Sequence, residues 1–415
     1  MSMASNGQRK RWKRSKKILV GLAVIIIIGA LVNYFRPVPS ITGVKTLKTK
    51  TSTVTPLQWP NIGSAEAAIG AAGYGLLATD GSQTERPTAS TAKMVTALLV
   101  LKKYPLQIGQ TTAPIITLGP NDVAIYKAYL AEDGSVVAVT AGEQISEYQA
   151  LQALLLPSAN NMADSLAIWA YGSLAQYTAA ANSYLASIGL TNMTIGADAS
   201  GFLPSTTASA ADLTLLGLDA LQNPVIAQIV AEKQTIIPVA GTVYNVNQLL
   251  GTDGIVGIKT GNSDQDAGVY VFAASDEVNK VSPRHDVLIV GTVEGASSLA
   301  NSFTLGEQLI NFAEATFNES IVATVNQEIG YYRVPWYKNN IYALSQSQLT
   351  SINWSTNYIK PVITLNPLRG SESSAASVGT ISEWRTSTNF DISNVVLSQN
   401  VSSAPWWWRI LRFNP

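Results

Sequence analysis

The stretch that most constrains this chain is Ile18–Val32, apolar throughout except for Gly21 and Gly29, with Tyr34 and Phe35 just beyond it. It is short for a membrane span but workable given its aromatic and basic flanks. Ahead of it lie Arg9, Lys10, Arg11, Lys13, Arg14, Lys16 and Lys17, with no acid among them. That block predicts a cytoplasmic N-terminus and places everything after Arg36 on the outer side. A cleaved signal peptide has the same layout. No A-x-A site follows the run, so the expectation is an uncleaved, single-pass anchor in the cell membrane. A soluble core helix would leave the basic flank without a role.

The formal net charge is zero, yet beyond Lys17 the chain holds 20 basic and 27 acidic residues. A mildly acidic globular part is not the footprint of a nucleic-acid binder. With 47% hydrophobic residues over 415 positions, there is material for two or three cores. There is no cysteine, which removes disulfides, thiolate metal sites and a cysteine nucleophile. His285 is the one histidine, so a two-histidine zinc site is impossible and a Ser-His-Asp triad would have to use it. No metal or other cofactor is expected, and a hydrolytic base is sought among the lysines.

Organisation follows from composition. Residues 1–17 form the basic cytoplasmic segment and 18–35 the anchor. Residues 36–61, rich in Thr, Ser, Lys and Pro without periodicity, read as an extended linker. Residues 62–318 mix helical and strand patterns. Residues 319–402 show only short alternating strands, as in a separate small β-domain. The tail 403–415 combines Trp406, Trp407 and Trp408 with Arg409 and Arg412, a composition suited to a membrane interface.

Within 62–318 three short motifs stand out. Pro87 is followed by Thr88-Ala89-Ser90-Thr91-Ala92-Lys93, and Met94, Ala97, Leu98 and Leu101 then recur at helical spacing. Ser90 and Lys93 share a face one turn apart, beside the apolar stripe. A desolvated lysine loses its proton readily and becomes a base, so the pair fits a nucleophile and its activator. The plain alternative is a capping serine and a snorkelling lysine. The second motif is Ser158-Ala159-Asn160, a polar break after an apolar helix at Glu147–Leu156 and before another at Met162–Tyr171. Such a loop presents side chains, or it simply caps the second helix. The third is Lys259-Thr260-Gly261, ending a strand at Ile255–Gly261. A cation, a hydroxyl and room for a backbone suit an anion; an edge lysine that blocks strand pairing is the alternative.

Further strands are expected at Ile115–Leu118, Gly134–Val139, Val269–Ala274 and Val287–Val293. Helices are expected at Leu174–Ile188, Ala208–Leu221, Pro224–Val230 and Leu299–Phe317. A strand over Ala65–Ala78 should turn at Thr79–Ser82 and return toward Ser90. A hairpin around Gly241 joins Ile236–Val239 to Thr242–Val246. The β-domain should use Tyr331–Val334, Ile341–Leu344, Ile359–Leu365, Gly379–Glu383 and Val395–Leu397.

The motifs S-x-x-K, S-x-N and K-T-G in this order are those of penicillin-binding proteins and class A β-lactamases. From Ala65 to Phe317 and on through the β-domain, the chain resembles the low-molecular-mass D-alanyl-D-alanine carboxypeptidases. Asn245–Leu250, Ser200-Gly201-Phe202 and Gly379-Thr380-Ile381 support the likeness. It implies an α/β (α+β) fold with a β-lactamase/DD-peptidase-like antiparallel sheet flanked by helices, followed by a small all-β domain. It implies Ser90 as acylated nucleophile, Lys93 as its base, and Ser158 and Asn160 as proton relay and substrate holder. Lys259, Thr260, Gly261 and Asn262 would receive the substrate carboxylate, with the Ser90 and Asn262 amides as oxyanion hole. The implied partners are the D-Ala-D-Ala end of a peptidoglycan stem peptide and, as inhibitors, β-lactams.

The chain departs from the family pattern at three points. Ala159 stands in the middle of S-x-N, and Asn262 follows K-T-G where histidine is common. The arginine that the family commonly carries just after the strand following K-T-G has no match: Arg284 is the one arginine between Gly261 and Asn318, and it lies before Val287–Val293. A DD-endopeptidase, a β-lactamase of the same fold and a catalytically silent wall-binding protein therefore stand beside the carboxypeptidase.

Overall fold

A five-stranded antiparallel sheet organises the larger part of the chain. Its strands run in the order Ile255–Gly261, Val269–Asp276, Val287–Glu294, Glu66–Ala71, Gly75–Asp80, which puts the Lys-Thr-Gly strand at one edge. The structure is a computed structural model and describes residues 4–47, 57–263, 267–276, 287–354, 361–382 and 392–412. In chain order the helices are α1 (Ala4–Phe35), α2 (Lys93–Lys103), α3 (Pro120–Ala131), α4 (Glu147–Leu155), α5 (Asn160–Tyr171) and α6 (Leu174–Ser187). They continue with α7 (Ala210–Gln222), α8 (Pro224–Val230), α9 (Leu299–Thr316) and α10 (Trp406–Leu411).

Alternation along Val269–Asp276, next to the edge strand, builds the two sides. Val269, Val271 and Ala273 join a core with α2, α4, α5, α7 and α8. Tyr270, Phe272 and Ala274 join a second core under α9. This is the period of two expected of a strand buried on both faces. The helix α2 is enclosed rather than amphipathic. Met94, Ala97 and Leu101 are buried as their spacing suggests, but so are Val95, Leu99 and Val100, while Leu98 is only half-buried. The central helix therefore shows almost no solvent face.

Several expected elements differ. The hairpin near residue 70 turns at residues 72–74, between Glu66–Ala71 and Gly75–Asp80, not at Thr79–Ser82. The turn, Ala72-Gly73-Tyr74, lies within a run of alanines and glycines that reads as one continuous strand. The stretch Gly134–Val139 is not a strand. Val137 and Val139 are buried in alternation, but the backbone of Val137 is paired with the Asn161 side chain: Val137 N donates to Asn161 Oδ1 at 3.0 Å and Val137 O accepts from Asn161 Nδ2 at 3.0 Å. An amide side chain can satisfy a main chain as a ladder does, leaving the same pattern in the sequence. The helix α3 went unseen because it has no buried residue and so no apolar stripe.

The C-terminal region forms a six-stranded sheet in the order Gly43–Lys45, Glu328–Tyr332, Ile341–Ser345, Ile392–Leu397, Ser377–Ser382, Val362–Leu365. Its first strand comes from the segment expected to be a bare linker. Val44 pairs with Tyr331, and Ile41 bridges to Leu368. The backbone of residues 41–47 is held by this sheet, with Ile41 and Leu47 packed on its core although the surrounding segment is rich in polar residues. The boundary near Asn318 is interlocked as well. The ribbon of Phe317–Ala323 with Leu349–Trp354 places Phe317, Ile352 and Trp354 in the core beneath α9.

The helix α1 carries a segment, Arg11–Phe35, long and apolar enough to cross a membrane, with none of it buried against the rest of the chain. The aromatic tail folds as α10 and packs on the end of α1. Arg412 donates to the carbonyls of Asn33 at 2.8 Å and Pro37 at 3.1 Å, and Asn33 Nδ2 donates to Arg412 O at 3.2 Å. A guanidinium on the last carbonyls of a helix caps its negative end.

Candidate active site

The nucleophile candidate sits in a tight turn. Ser90 lies in the 3-10 segment Ala89–Ala92 that runs directly into α2, and no side-chain cap is formed at the start of either helix. Ser90 is therefore not a capping serine. Ala89 is held at φ +46°, a conformation unusual for a residue with a β-carbon.

Lys93 is the opposite of a snorkelling lysine: it is completely buried. Its Nζ lies 2.7 Å from Ser90 Oγ, and it donates to Asn160 Oδ1 at 2.7 Å and to Ser200 O at 3.0 Å. Burial drives its pKa well below that of an ordinary lysine, and repulsion from Lys259 acts in the same direction; Asp198 and Asp164 oppose the shift. Desolvation of this kind penalises the ammonium and favours the free amine.

Asn160 and Ser158 do not cap α5. The N-cap position belongs to Ala159 and has no side-chain bond. Asn160 begins the helix, with its own amide donating to Ser135 O at 2.7 Å, and its side chain points to Lys93. Ser158 is twisted to φ +66°, and Lys259 Nζ donates to its Oγ at 2.8 Å. Burial pushes the Lys259 ammonium down to about 7. Two amines thus face the S-x-N loop, one through Asn160 and one through Ser158.

Thr260 and Gly261 continue the edge strand beyond Lys259, and Asn262 follows it, exposed. A β-carbon at Gly261 would lie 2.8 Å from Thr88 O and 3.1 Å from Ala89 Cβ. The glycine therefore lets the edge strand lie against the turn that carries Ser90. The structure brings Ser90, Lys93 and Asn160 into one hydrogen-bonded group and Ser158 and Lys259 into a second, the two meeting at the Ser158–Asn160 loop, with Thr260 and Gly261 alongside. The only histidine, His285, and Arg284 lie outside the described residues.

One wall of the site carried no functional reading in the sequence. The loop 198–203 supplies the Ser200 carbonyl that holds Lys93. Asp198 fixes the loop by accepting from Ser200 N at 2.8 Å, Ser200 Oγ at 2.7 Å, Phe202 N at 3.1 Å and Leu203 N at 3.0 Å. Ala199 donates to Asp164 Oδ1 at 2.9 Å, and Thr96 on α2 donates to Ala199 O at 2.7 Å. Asp164, one turn beyond Asn160 on α5, also accepts from Tyr129 Oη at 2.8 Å. Burial raises the Asp164 carboxyl to about 6, held from rising further by these bonds. The Asp-x-Ser-Gly pattern was the available signal, since a side-chain carboxylate bonding backbone amides two residues on is a turn signature.

A buried amine within hydrogen-bond reach of a serine hydroxyl, oriented by an amide and a backbone carbonyl, is the arrangement that a lysine-activated serine nucleophile requires. Comparison with known proteins narrows this. The sequence profile of the D-alanyl-D-alanine carboxypeptidase family of serine peptidases matches residues 58–282, more than half of the chain. A D-alanyl-D-alanine carboxypeptidase from Streptomyces sp. (strain K15) is 26% identical over 260 residues, covering 58% of this chain and 82% of that one. Among solved structures, penicillin-binding protein 5 from Haemophilus influenzae superposes with a TM-score of 0.58 at 19% identity, covering 85% of this chain and all of the other. A peptidoglycan synthesis regulatory factor, penicillin-binding protein 3 from Streptococcus pneumoniae, gives 0.60 at 16% identity over 81% of this chain and 98% of the other. The Streptomyces K15 DD-transpeptidase gives 0.54 at 23% identity over 62% and 98%. The chain belongs to the D-alanyl-D-alanine carboxypeptidase family, and its fold is that of the penicillin-binding DD-peptidases.

Proposed function

We propose that this serine-type D-alanyl-D-alanine carboxypeptidase removes the terminal D-alanine of peptidoglycan stem peptides through an acyl-enzyme on Ser90. The observation that carries the residue assignment is the fully buried Lys93 amine 2.7 Å from Ser90 Oγ. Lys93 takes the hydroxyl proton as Ser90 Oγ bonds to the carbonyl carbon of the penultimate D-alanine. The C–N bond breaks, and the departing amine receives a proton through Ser158. Water then cleaves the ester, and Ser90 is restored. Asn160 holds Lys93 and the substrate backbone. Lys259 and Thr260 receive the terminal carboxylate, and Gly261 leaves space beside the nucleophile turn. The amides of Ser90 and Asn262 stabilise the oxyanion, an interaction that strengthens only as charge develops. β-Lactams acylate the same serine.

In this reading α1 is a single-pass membrane anchor, and both folded parts lie on the outer side. The tail contributes a second contact with the bilayer. Trp406, Trp407 and Leu411 are exposed beside Tyr34 and Phe35 at the end of α1, with Arg409 and Arg412 among them. Aromatic and basic side chains at this depth suit the headgroup region. The C-terminal sheet, including residues 41–47, then sits between bilayer and catalytic part. The test is labelling with fluorescent penicillin followed by mass analysis of the adduct. The wild-type chain should carry one adduct, and Ser90→Ala none. An adduct of equal yield on Ser90→Ala would remove Ser90 from its role.

A further inference from the structure

A groove of about 440 Å³ separates the far ends of α2 and α6, away from the catalytic residues. The helix α2 carries Lys93 at its first position and Lys103 at its last, about 15 Å apart at about 1.5 Å per residue. Leu99 and Ala180 line the groove with apolar surface, and Ser183 and Ser187 line it with hydroxyls. The charged residues that line it are Lys102 and Lys103, and no acid does so. Beyond Lys17 acids outnumber bases by 27 to 20, so a groove lined by cations alone runs against the composition of the chain. Both ammonium groups rest on aromatic faces. Lys102 Nζ lies 4.7 Å from the centre of the Tyr184 ring, and Lys103 Nζ lies 5.9 Å from that of Tyr171. The rings are fixed in turn: Tyr171 Oη donates to Leu99 O at 3.0 Å, and Tyr184 Oη donates to Asp219. Among the described residues neither lysine is paired with a carboxylate. Lysines in a last turn also favour the negative end of a helix. Two carbonyls of that end are already taken, however, Leu99 O by Tyr171 and Val100 O by Tyr104 N at 2.8 Å. Two placed cations therefore line an open groove with no anion to answer them.

We propose that this groove binds a phosphodiester-linked polyol, as in an anionic wall polymer, and so holds the enzyme on the wall at a point separate from its cleft. The proposal rests on the reading that the catalytic part lies outside the membrane, and it is independent of acylation at Ser90. A phosphodiester presents two free oxygens in different directions, one for each ammonium. The hydroxylated carbons on either side of it suit a groove with an apolar floor and serine hydroxyls. Ser187 Oγ donates to Tyr184 O at 2.7 Å, which leaves its lone pairs to accept from the polyol. A bare phosphate ion would leave most of the volume unfilled. The planar carboxylate of an acidic peptide matches a guanidinium fork better than two separate ammonium groups.

The chain holds no cysteine, so Ala186→Cys, an exposed position of α6 beside the groove, takes a single environment-sensitive dye. The dye reads binding at the groove and not at the basic segment ahead of Ile18. Titration of the full-length labelled protein in detergent with polyglycerol phosphate should give a saturable signal, and uncharged polyglycerol should give none. Lys102→Gln and Lys103→Gln together should weaken the apparent affinity about tenfold, the scale of two exposed charge contacts. Ser183→Tyr, which fills the groove, should abolish the signal. Labelled penicillin should react with all these forms at rates within about twofold of one another, the scatter of surface substitutions. The absence of a saturable signal, or a signal that survives both the lysine pair and the Ser183 change, overturns the proposal. Inorganic phosphate that matches the polymer at equal phosphate concentration reduces the groove to an ion site and overturns it too, as does an oligoglutamate that matches it at equal charge. If penicillin fails to label the wild-type chain, the acylation reading falls while binding at the groove stands.

Discussion

Gly201→Ala probes how the 198–203 loop supports the nucleophile. Gly201 has φ +73°, and a β-carbon built there would lie 2.1 Å from Ala89 O and 2.8 Å from Ala92 Cβ. A carbon and a carbonyl oxygen come no closer than about 3.3 Å in comfortable contact, so loop and turn must part by about 1 Å. Ala89 precedes Ser90, and the residue before Gly201 supplies the carbonyl that holds Lys93. The displacement therefore acts on both members of the pair. A misplacement of about 1 Å costs on the order of 10²-fold in rate. The left-handed backbone adds about 1–2 kcal/mol of strain and the overlap about 1–3 kcal/mol. At about 2–4 °C per kcal/mol for a domain of this size, the melt should fall by about 4–20 °C. Gly109→Ala is the control: φ is +80°, but nothing lies within 4 Å of its β-carbon. It should lose about 1 kcal/mol and no acylation rate. Stopped-flow acylation by a chromogenic cephalosporin, with thermal melts of both variants, reads the outcome. Gly201→Ala acylating within twofold of wild type would refute the claim that this loop positions Lys93.

Two further outcomes follow from the packing and the charges. Trp354, 2% exposed and 5.0 Å from the Phe317 ring, should cost about 3–5 kcal/mol as alanine, the usual range for emptying an aromatic site; a thermal melt within 1 °C of wild type would show that the ribbon does not brace the core under α9. Lys259 titrates near 7, so it is charged below that pH and neutral above it. A carboxylate favours the charged form, so KM for a D-Ala-D-Ala peptide should rise as pH climbs above about 7, and a KM flat from pH 6 to 9 would mean that Lys259 does not meet the carboxylate.

The candidate cluster could be picked out because its residues are local in sequence. Ser90 and Lys93 are one turn apart, Ser158 and Asn160 flank a helix start, and Lys259 precedes Thr260 and Gly261 on one strand. What the sequence could not rank was capping against chemistry for Ser158 and Asn160. Only the fold shows that the cap position falls to Ala159 and that the two side chains reach separate lysines. Ser200-Gly201-Phe202 counted in the sequence only toward the family likeness; the role of the loop 198–203 stayed hidden because it contributes through a backbone carbonyl, and any residue type carries one. The helix α3 lacked a stripe because it buries no side chain completely. The strand Gly43–Lys45 was hidden because its pairing partner, Glu328–Tyr332, lies far along the chain, and polar edge strands carry little hydrophobic signal.

The central claim is that neutral Lys93 is the base for Ser90. Lys93→Arg keeps a cation and much of the volume but cannot give up its proton. The decisive measurement is the acylation rate of purified Lys93→Arg protein by a labelled penicillin, with folding checked by thermal melt. The account predicts a folded protein whose acylation falls by about 10²–10⁴ or more, the range for loss of a general base. A folded Lys93→Arg protein that acylates near the wild-type rate would place the base elsewhere.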